Sequence, residues 1–288
     1  MLNIFDINVV FSNIEKIIKY VPVTLEIAVA AELIGILVGL FIAVIKIKRV
    51  PVLNQITSIY ISFFRGTPII VQLYISYYGI PIALQYVNFY WNKDIQMASI
   101  SPLFFAILTL ALNSSAFNSV VIQSAFDGVN KGEIEAAEAI GMTGIQRLFR
   151  IIIPEALDLA IPNLGNQFIG LIKGTSLAFS CAVIEMTAEA KILGSKNYRY
   201  FEAYVALAVL YWLITIGVEI IIKIIINLVH VPDVIDGTEK SFVRKVAGVV
   251  SGKIRKGNGK ESMKYDKDKQ YKEKFCFKSS FKRYMLRD

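Results

Sequence analysis

One histidine, His230, and two cysteines, Cys181 and Cys276, are all that 288 residues offer of the side chains that most often bind transition metals or act as nucleophiles. No two of them have the spacing of a zinc site, a disulfide framework or a histidine-dependent triad. The sequence therefore calls for no metal and no cofactor of its own. A phosphate loop is missing too. The nearest approach to GxxxxGK[ST], residues 248–253, has the wrong spacing, so the chain carries no element for hydrolysing ATP itself.

Excess positive charge is also absent from most of the chain. The net charge is +8, but residues 238–288 hold 16 Lys and Arg against 6 Asp and Glu, leaving 15 against 17 in the rest. Such local basicity gives nucleic-acid binding little support, and no nucleic-acid partner is expected. The tail, residues 231–288, has no apolar period and reads as a disordered cytoplasmic appendage. Beside an anionic leaflet it could instead bind lipid, each basic residue adding about 1 kcal/mol.

What the chain has in abundance is apolar surface: 55% hydrophobic residues and a mean hydropathy of +0.54. A hydrocarbon core of about 30 Å takes about 20 apolar residues in a helix. Residues 22–45, 56–79, 102–122, 159–184 and 204–229 meet that length and lack the alternation of a barrel strand. The expected fold is an all-α membrane protein with five transmembrane helices, its membrane domain covering residues 21–230. Asp6, Glu15, Lys16 and Lys19 argue against a cleavable signal in residues 1–20. Ile7, Val10, Ile14 and Ile17 there fall at helical spacing, which predicts a short interfacial helix.

Basic residues set the orientation. Lys46, Lys48 and Arg49 follow the first run, Lys131, Arg147 and Arg150 the third, and the basic tail the fifth. The positive-inside rule puts these on the cytoplasmic side, with the N-terminus outside and the C-terminus inside. Between the second and third runs, Tyr86, Phe89, Tyr90 and Trp91 read as an interfacial aromatic belt or as a docking surface for an external partner.

Between the third and fourth runs polarity changes for residues 130–154. Strong helix formers fill residues 133–140, Gly141 interrupts them, and helical spacing resumes at Ile145, Leu148, Phe149 and Ile152 until Pro154 ends it. Ala136 and Ala137 leave one side of the first helix nearly bare, so a partner can approach closely. Glu135 with Arg147 or Arg150 can fix register across such a contact. Composition alone leaves a plain amphipathic interfacial loop equally open.

Here the residues resemble a family. Glu135-Ala136-Ala137, Gly141 and Ile151-x-Ile153-Pro154 resemble the EAA signature of ABC importer permeases, departing only at Ile153, where Leu is usual. Further matches lie in order: Phe64-Arg65-Gly66-Thr67-Pro68 with Gln72, Leu112 to Phe117, Val129 to Gly132, Ile161-Pro162-Asn163, Asn166-Gln167-Phe168, and Lys173 to Leu177. From about Val21 to Leu228 the chain is similar to the permease subunit of polar amino-acid ABC importers. The resemblance implies a bacterial cytoplasmic-membrane protein that pairs with a second permease copy or a close relative. It also implies two cytoplasmic ATP-binding cassette subunits docked on the EAA helices and an extracytoplasmic amino-acid-binding protein. On this reading Glu135, Ala136, Ala137, Gly141, Arg147 and Arg150 couple transport to ATP, which the partner subunits bind.

Polar residues inside spans cost about 2.5 to 3.5 kcal/mol each on insertion scales, so those present need a reason. Arg65 precedes Gly66-Thr67-Pro68, which cannot continue a regular helix, and Lys173-Gly174-Thr175-Ser176 interrupts the fourth run in the same manner. Freed backbone at such breaks can line a cavity, with a guanidinium to take a carboxylate. Candidate solute-path residues are Arg65, Thr67, Gln72, Asn113, Ser114, Gln167, Lys173, Thr175, Ser176 and Glu185. Interhelical hydrogen bonding and structural ion pairing, for example of Arg65 or Lys173 with Glu185, is the competing account. Glu32 is a second candidate for pairing with a basic residue of another span.

Relatives for basic solutes often follow the Lys of the fourth span with Asp, whereas Gly174 offers no carboxylate; Val120 and Gln123 likewise stand where many relatives have Glu and Arg. Residues 173–179 and 198–204, with Leu210-Tyr211-Trp212, look most like the cystine and sulfur amino-acid branch. The rival from another class is an ion-gradient-driven transporter with Glu32 and Glu185 as coupling carboxylates. Five spans without an internal repeat count against it. A membrane anchor or enzyme is disfavoured by the missing His, Cys and carboxylate constellations.

Overall fold

A computed structural model describes residues 5–91 and 100–229. The chain divides into two units, Met1–Val231 and Pro232–Asp288, and every described residue belongs to the first. The expectation of a disordered basic tail lies outside the described residues, as do His230 and Cys276.

Among the described residues every regular element is a helix. In order they are α1 (Ile7–Ile17), α2 (Val21–Lys48), α3 (Pro51–Gly66), α4 (Ile69–Tyr74), α5 (Ile80–Trp91), α6 (Pro102–Asp127), α7 (Lys131–Ala139), α8 (Gly144–Arg147), α9 (Ile153–Gly174), α10 (Met186–Asn197) and α11 (Tyr200–Val229). Three helical runs are long and apolar enough to cross a membrane: Ile7–Lys48, Pro102–Asp127 and Tyr200–Leu228. Two bent pairs, Pro51–Gly66 with Ile69–Trp91 and Gly144–Cys181 with Met186–Asn197, bring the candidates to as many as five. The run expected from the sequence at 56–79 is thus bent by 109°, and the one expected at 159–184 ends at a bend of 57° into Met186–Asn197.

A small set of residues starts these helices. Pro51 and Pro102 sit in the first turns of α3 and α6, where a missing N–H costs nothing. Asp6 and Ser101 cap α1 and α6 by accepting from Asn8 N at 2.9 Å and Leu103 N at 3.3 Å. Pro154 does not end its helix, as the sequence led us to expect. A π turn, Leu148–Ile152, leads straight into α9, and a second one, Ile75–Gly79, runs into α5 just before Pro81. The wider turn relieves the crowding of the proline ring against the carbonyl four residues back, so the chain passes through without a stop.

The helix expected in the first 20 residues is α1, but its buried face meets protein. Val10 and Ile17 pack with Met186 and Leu193 of α10 and Leu210 of α11. A 3-10 turn, Ile18–Tyr20, then carries it into α2 as one 42-residue run. The helix α10 has no counterpart among the expected runs.

The centre of the molecule is the seam between α2 and α6. A Cβ added at Gly35 would lie 2.8 Å from Ser114 Oγ, and one at Gly39 would lie 3.0 Å from the Ser115 carbonyl. Glycine on one helix and serine on the other let the backbones approach at this distance. An apolar core of Ile27, Leu73, Leu110, Leu171 and Cys181 then joins α2, α4, α6 and α9.

Candidate functional site

The first polar feature is the break between α3 and α4. Thr67 and Pro68 are extended, and Pro68 has no N–H to give the carbonyl of Phe64, four residues back. That carbonyl instead accepts from Gln72 Nε2 at 2.9 Å and from Asn113 Nδ2 at 3.2 Å. Gln72 Nε2 also reaches Thr67 O at 3.1 Å and Thr67 Oγ1 at 2.8 Å, while Asn113 Nδ2 donates to Gln72 Oε1 at 3.0 Å. Arg65 is exposed, its guanidinium 5.3 Å from the ring centre of Phe117. The structure thus brings Arg65, Thr67, Gln72 and Asn113 together.

Ser114, next along α6, points elsewhere. It donates to Glu32 Oε2 at 2.6 Å, and Asn118 Nδ2 donates to Glu32 Oε1 at 2.9 Å. The pairing of Glu32 with a Lys or Arg is therefore corrected: this buried carboxylate is held by two neutral donors across the α2–α6 seam.

The second polar feature is a recess of about 580 Å³ beside the end of α9, lined by Lys173, Ser176, Thr187, Tyr211, Trp212 and Thr215 with apolar neighbours from α11. Behind Thr187 and Tyr211 lies Glu185, completely buried. Its Oε1 accepts from the amides of Thr187 and Ala188 at 2.8 and 3.0 Å, capping α10. Its Oε2 lies within reach of the Tyr211 and Thr24 hydroxyls at 3.3 and 3.4 Å. Among the described residues Glu185 forms no ion pair with Arg65 or Lys173, which corrects that expectation as well. Thr175 Oγ1 donates to Ile172 O at 2.7 Å and lies beside the Tyr211 hydroxyl, and Gln167 is half-buried apart from both features. Lys173 and Ser176 thus join residues that sequence reasoning missed, Thr187 and Thr215. Tyr211 and Trp212 carried a family signal only, with nothing local to assign them to a cavity.

The third feature is the segment from α7 to α8. Asn130 caps α7, and its own amide donates to Glu155 Oε1 at 2.9 Å, tying the helix to α9. Ala137 is buried, while Glu135, Ala136, Gly141 and Arg150 are exposed. The paired alanines therefore do not share a bare face: Ala137 packs inward and Ala136 alone faces out. Gly141 has a φ of +82°, which L side chains rarely adopt, and a Thr143–Gln146 capping box starts α8 directly after it. Arg147 pairs with Glu138 of the same chain across this turn. Ile140, Ile145 and Phe149 stand out from the surface, at 79%, 73% and 65% exposure.

These features define a polytopic helical membrane protein with broken spans and a projecting helical segment. Residues 35–230 match the family of binding-protein-dependent transport system inner membrane components, and the chain belongs to that family. It is 40% identical over 215 residues to the probable amino-acid permease protein YxeN of Bacillus subtilis (strain 168), covering 75% of this chain and 92% of the relative. With the L-cystine transport system permease protein TcyL of the same organism it shares 38% over 215 residues, 75% of this chain and 87% of that one. Its structure resembles a chain in the crystal structure of an amino acid ABC transporter with histidines, at a TM-score of 0.66 and 30% identity, covering 77% of this chain and 98% of the other. The chain is a membrane permease of the amino-acid ABC transporter kind, and hydrolysis of ATP in such systems falls to separate subunits.

Proposed function

We propose that this chain is the membrane-spanning permease of an ATP-driven importer for a zwitterionic polar amino acid, with cystine the first candidate. It would cross the bacterial cytoplasmic membrane five times, N-terminus outside, and pair with a second permease copy or a close relative. The observation that carries the reading is the exposed patch of Ala136, Ile140, Ile145 and Phe149 around Gly141, on a segment anchored to the body by Asn130–Glu155 and buried Ala137. Exposed apolar side chains on a rigidly held surface segment mark a docking site. The partners fitted to it are two cytoplasmic ATP-binding cassette subunits. Their closure on ATP would draw the docked segments together and turn the solute path outward; hydrolysis would reset it.

The proposed solute path runs past Arg65 and the recess at Lys173. Among the residues lining that recess Lys173 is the one formal charge, beside hydroxyls and the Trp212 ring. A cation with hydroxyl donors suits the carboxylate of an amino acid, and no acidic side chain lines the recess to take a cationic side chain such as a guanidinium. The choice of cystine leans on the similarity to TcyL, a permease protein of an L-cystine transport system, and on the sequence resemblance above.

The test is uptake by proteoliposomes holding the permease with its ATPase and binding-protein partners, screened with radiolabelled L-cystine, glutamine, methionine and arginine. Uptake that needs ATP and the binding protein, with cystine preferred, is the expected result. Accumulation driven by a proton or sodium gradient without the ATPase would overturn it in favour of secondary transport.

A further inference from the structure

We infer that Gln72 and Asn113 are positioning residues: a two-amide clasp that holds the α3–α4 break against α6 and thereby places Arg65. The inference rests on the reading of Arg65 as part of the solute path and goes beyond it by assigning these two amides a task other than touching solute.

The argument begins with Pro68. In a continuous helix the Phe64 carbonyl would accept from the amide of residue 68, which proline lacks. The Phe63 carbonyl is still served, by Thr67 N at 3.1 Å and Thr67 Oγ1 at 2.8 Å. Past the break, Val71 N and Gln72 N both turn to Pro68 O, at 3.0 and 3.3 Å, which leaves the Thr67 carbonyl to a side chain. Of the carbonyls left without backbone donors at the break, the Gln72 amide reaches those of Phe64 and Thr67. In an apolar span an unpaired carbonyl is costly, so a break of this kind survives only where side chains answer it.

Gln72 alone would close the break on itself. Asn113 connects it to the rest of the molecule, because its amide donates both to the Phe64 carbonyl and to Gln72 Oε1, at 3.2 and 3.0 Å. One turn along α6 from Asn113 is Phe117, and over its ring lies the Arg65 guanidinium. One face of α6 therefore holds the backbone at residue 64 and the side chain at residue 65. One turn back on α3, Tyr60 Oη lies 2.8 Å from Leu112 O and 2.6 Å from Ser115 Oγ, so α3 is already fastened to α6 just ahead of the break. Without the clasp the last turn of α3 keeps its own helical bonds but loses its polar tie to α6 beyond Tyr60, and Arg65 is the charged side chain on that turn. Gln72 is 3% exposed and its amide is fully engaged, which leaves it nothing to offer a solute.

The experiment uses the complete transporter in proteoliposomes and the amino acid that the uptake screen identifies. Gln72→Met and Asn113→Leu remove the donors at similar volume, and Asn113→Asp, which replaces the amide donor by a carboxyl of the same shape, serves where Leu fails to insert. Each is expected to raise the KM for uptake about tenfold, as the loss of about one hydrogen bond's worth of placement implies, with basal ATPase activity unchanged. In an Arg65→Ala background the same substitutions should add almost nothing. A nitroxide on Gly66→Cys, where an added Cβ meets nothing within 4 Å, should gain a mobile component in the clasp variants. An unchanged KM in inserted variants, or effects that simply add to Arg65→Ala, would overturn the inference. If Arg65→Ala alone leaves uptake unchanged, it is the solute-path reading of Arg65 that falls; the nitroxide spectrum then decides the clasp, and an unchanged spectrum refutes it.

Discussion

Glu32 shows how much depends on a single side chain in an apolar setting. Its two carboxylate oxygens satisfy Ser114 and Asn118 across the central seam, so Glu32→Leu would leave two buried donors unanswered. Such a loss costs about 1–3 kcal/mol per group, and thermal unfolding in detergent should register it. Glu32→Gln keeps an acceptor for Asn118 and supplies an amide to Ser114, and should retain both stability and uptake. Complete loss of uptake in Glu32→Gln with normal folding would favour a coupling carboxylate and a gradient-driven mechanism. Gly39 tests the same seam from its steric side. The atoms that an added Cβ would meet include the Ser115 carbonyl and the Ser119 amide, which cannot step aside as a flexible side chain can. Gly39→Val should therefore destabilise the protein by about 1–3 kcal/mol, as overpacking usually does. Pairs of this kind were not legible in the sequence. Gly35 and Gly39 form a GxxxG pattern too common in membrane helices to assign a partner, and Glu32 gives no sign of choosing neutral donors over a cation.

At the scale of elements, the break at residues 66–68 was legible and its surroundings were not, while the interruption expected at residues 173–176 is only a change to 3-10 turns, with the bend falling between Cys181 and Met186. Pro68 cannot donate and Gly66 is a weak helix former, so the interruption at residues 66–68 follows from covalent structure. The turn at Gly141 was equally visible in a run of helix formers, and its φ of +82° gives a physical reason for glycine. Gly141→Asp is expected to leave membrane insertion intact and to abolish ATP-dependent uptake. An added Cβ there meets nothing within 4 Å, so the damage would come from the strained backbone re-aiming α8, together with the new charge at the docking patch. Gly141→Asn, which tolerates a left-handed backbone better, should keep a measurable fraction of uptake; equal, normal activity in both variants would remove the turn from the coupling pathway. The helix α10 escaped sequence reasoning because Met186–Asn197 mixes polar and apolar residues without a clear period. Its order comes from the Glu185 cap and from burial of Met186 and Leu193 against α1 and α11. The recess escaped for a related reason: Thr187 and Tyr211 meet at 3.2 Å although they lie 24 positions apart on different helices. The assignment of Ala137 to an outer face failed because the same composition fits either side of a short helix, and only packing decides.

For the whole molecule, orientation is the property that can be checked most directly. Ile140 and Tyr198 are among the most exposed side chains of the turns at 140–143 and 198–199, which the proposed topology places on opposite sides of the membrane. With Cys181 and Cys276 replaced, Tyr198→Cys should react with an impermeant maleimide on intact cells, and Ile140→Cys only after permeabilisation; the reverse pattern would invert the proposed topology. The helical run Ile7–Lys48 adds a consequence of length. At 1.5 Å per residue its 42 residues measure roughly 60 Å, about twice the thickness of a hydrocarbon core. Such a rod cannot be contained upright in the bilayer; it either leans steeply or stands proud at one end. One part of it abuts α10 and α11, and another forms the glycine seam with α6. A rocking motion of α6 would therefore be carried along the run to Thr24, near its middle, which touches the Glu185 cap, so that the recess at Lys173 and the break at Pro68 would shift together.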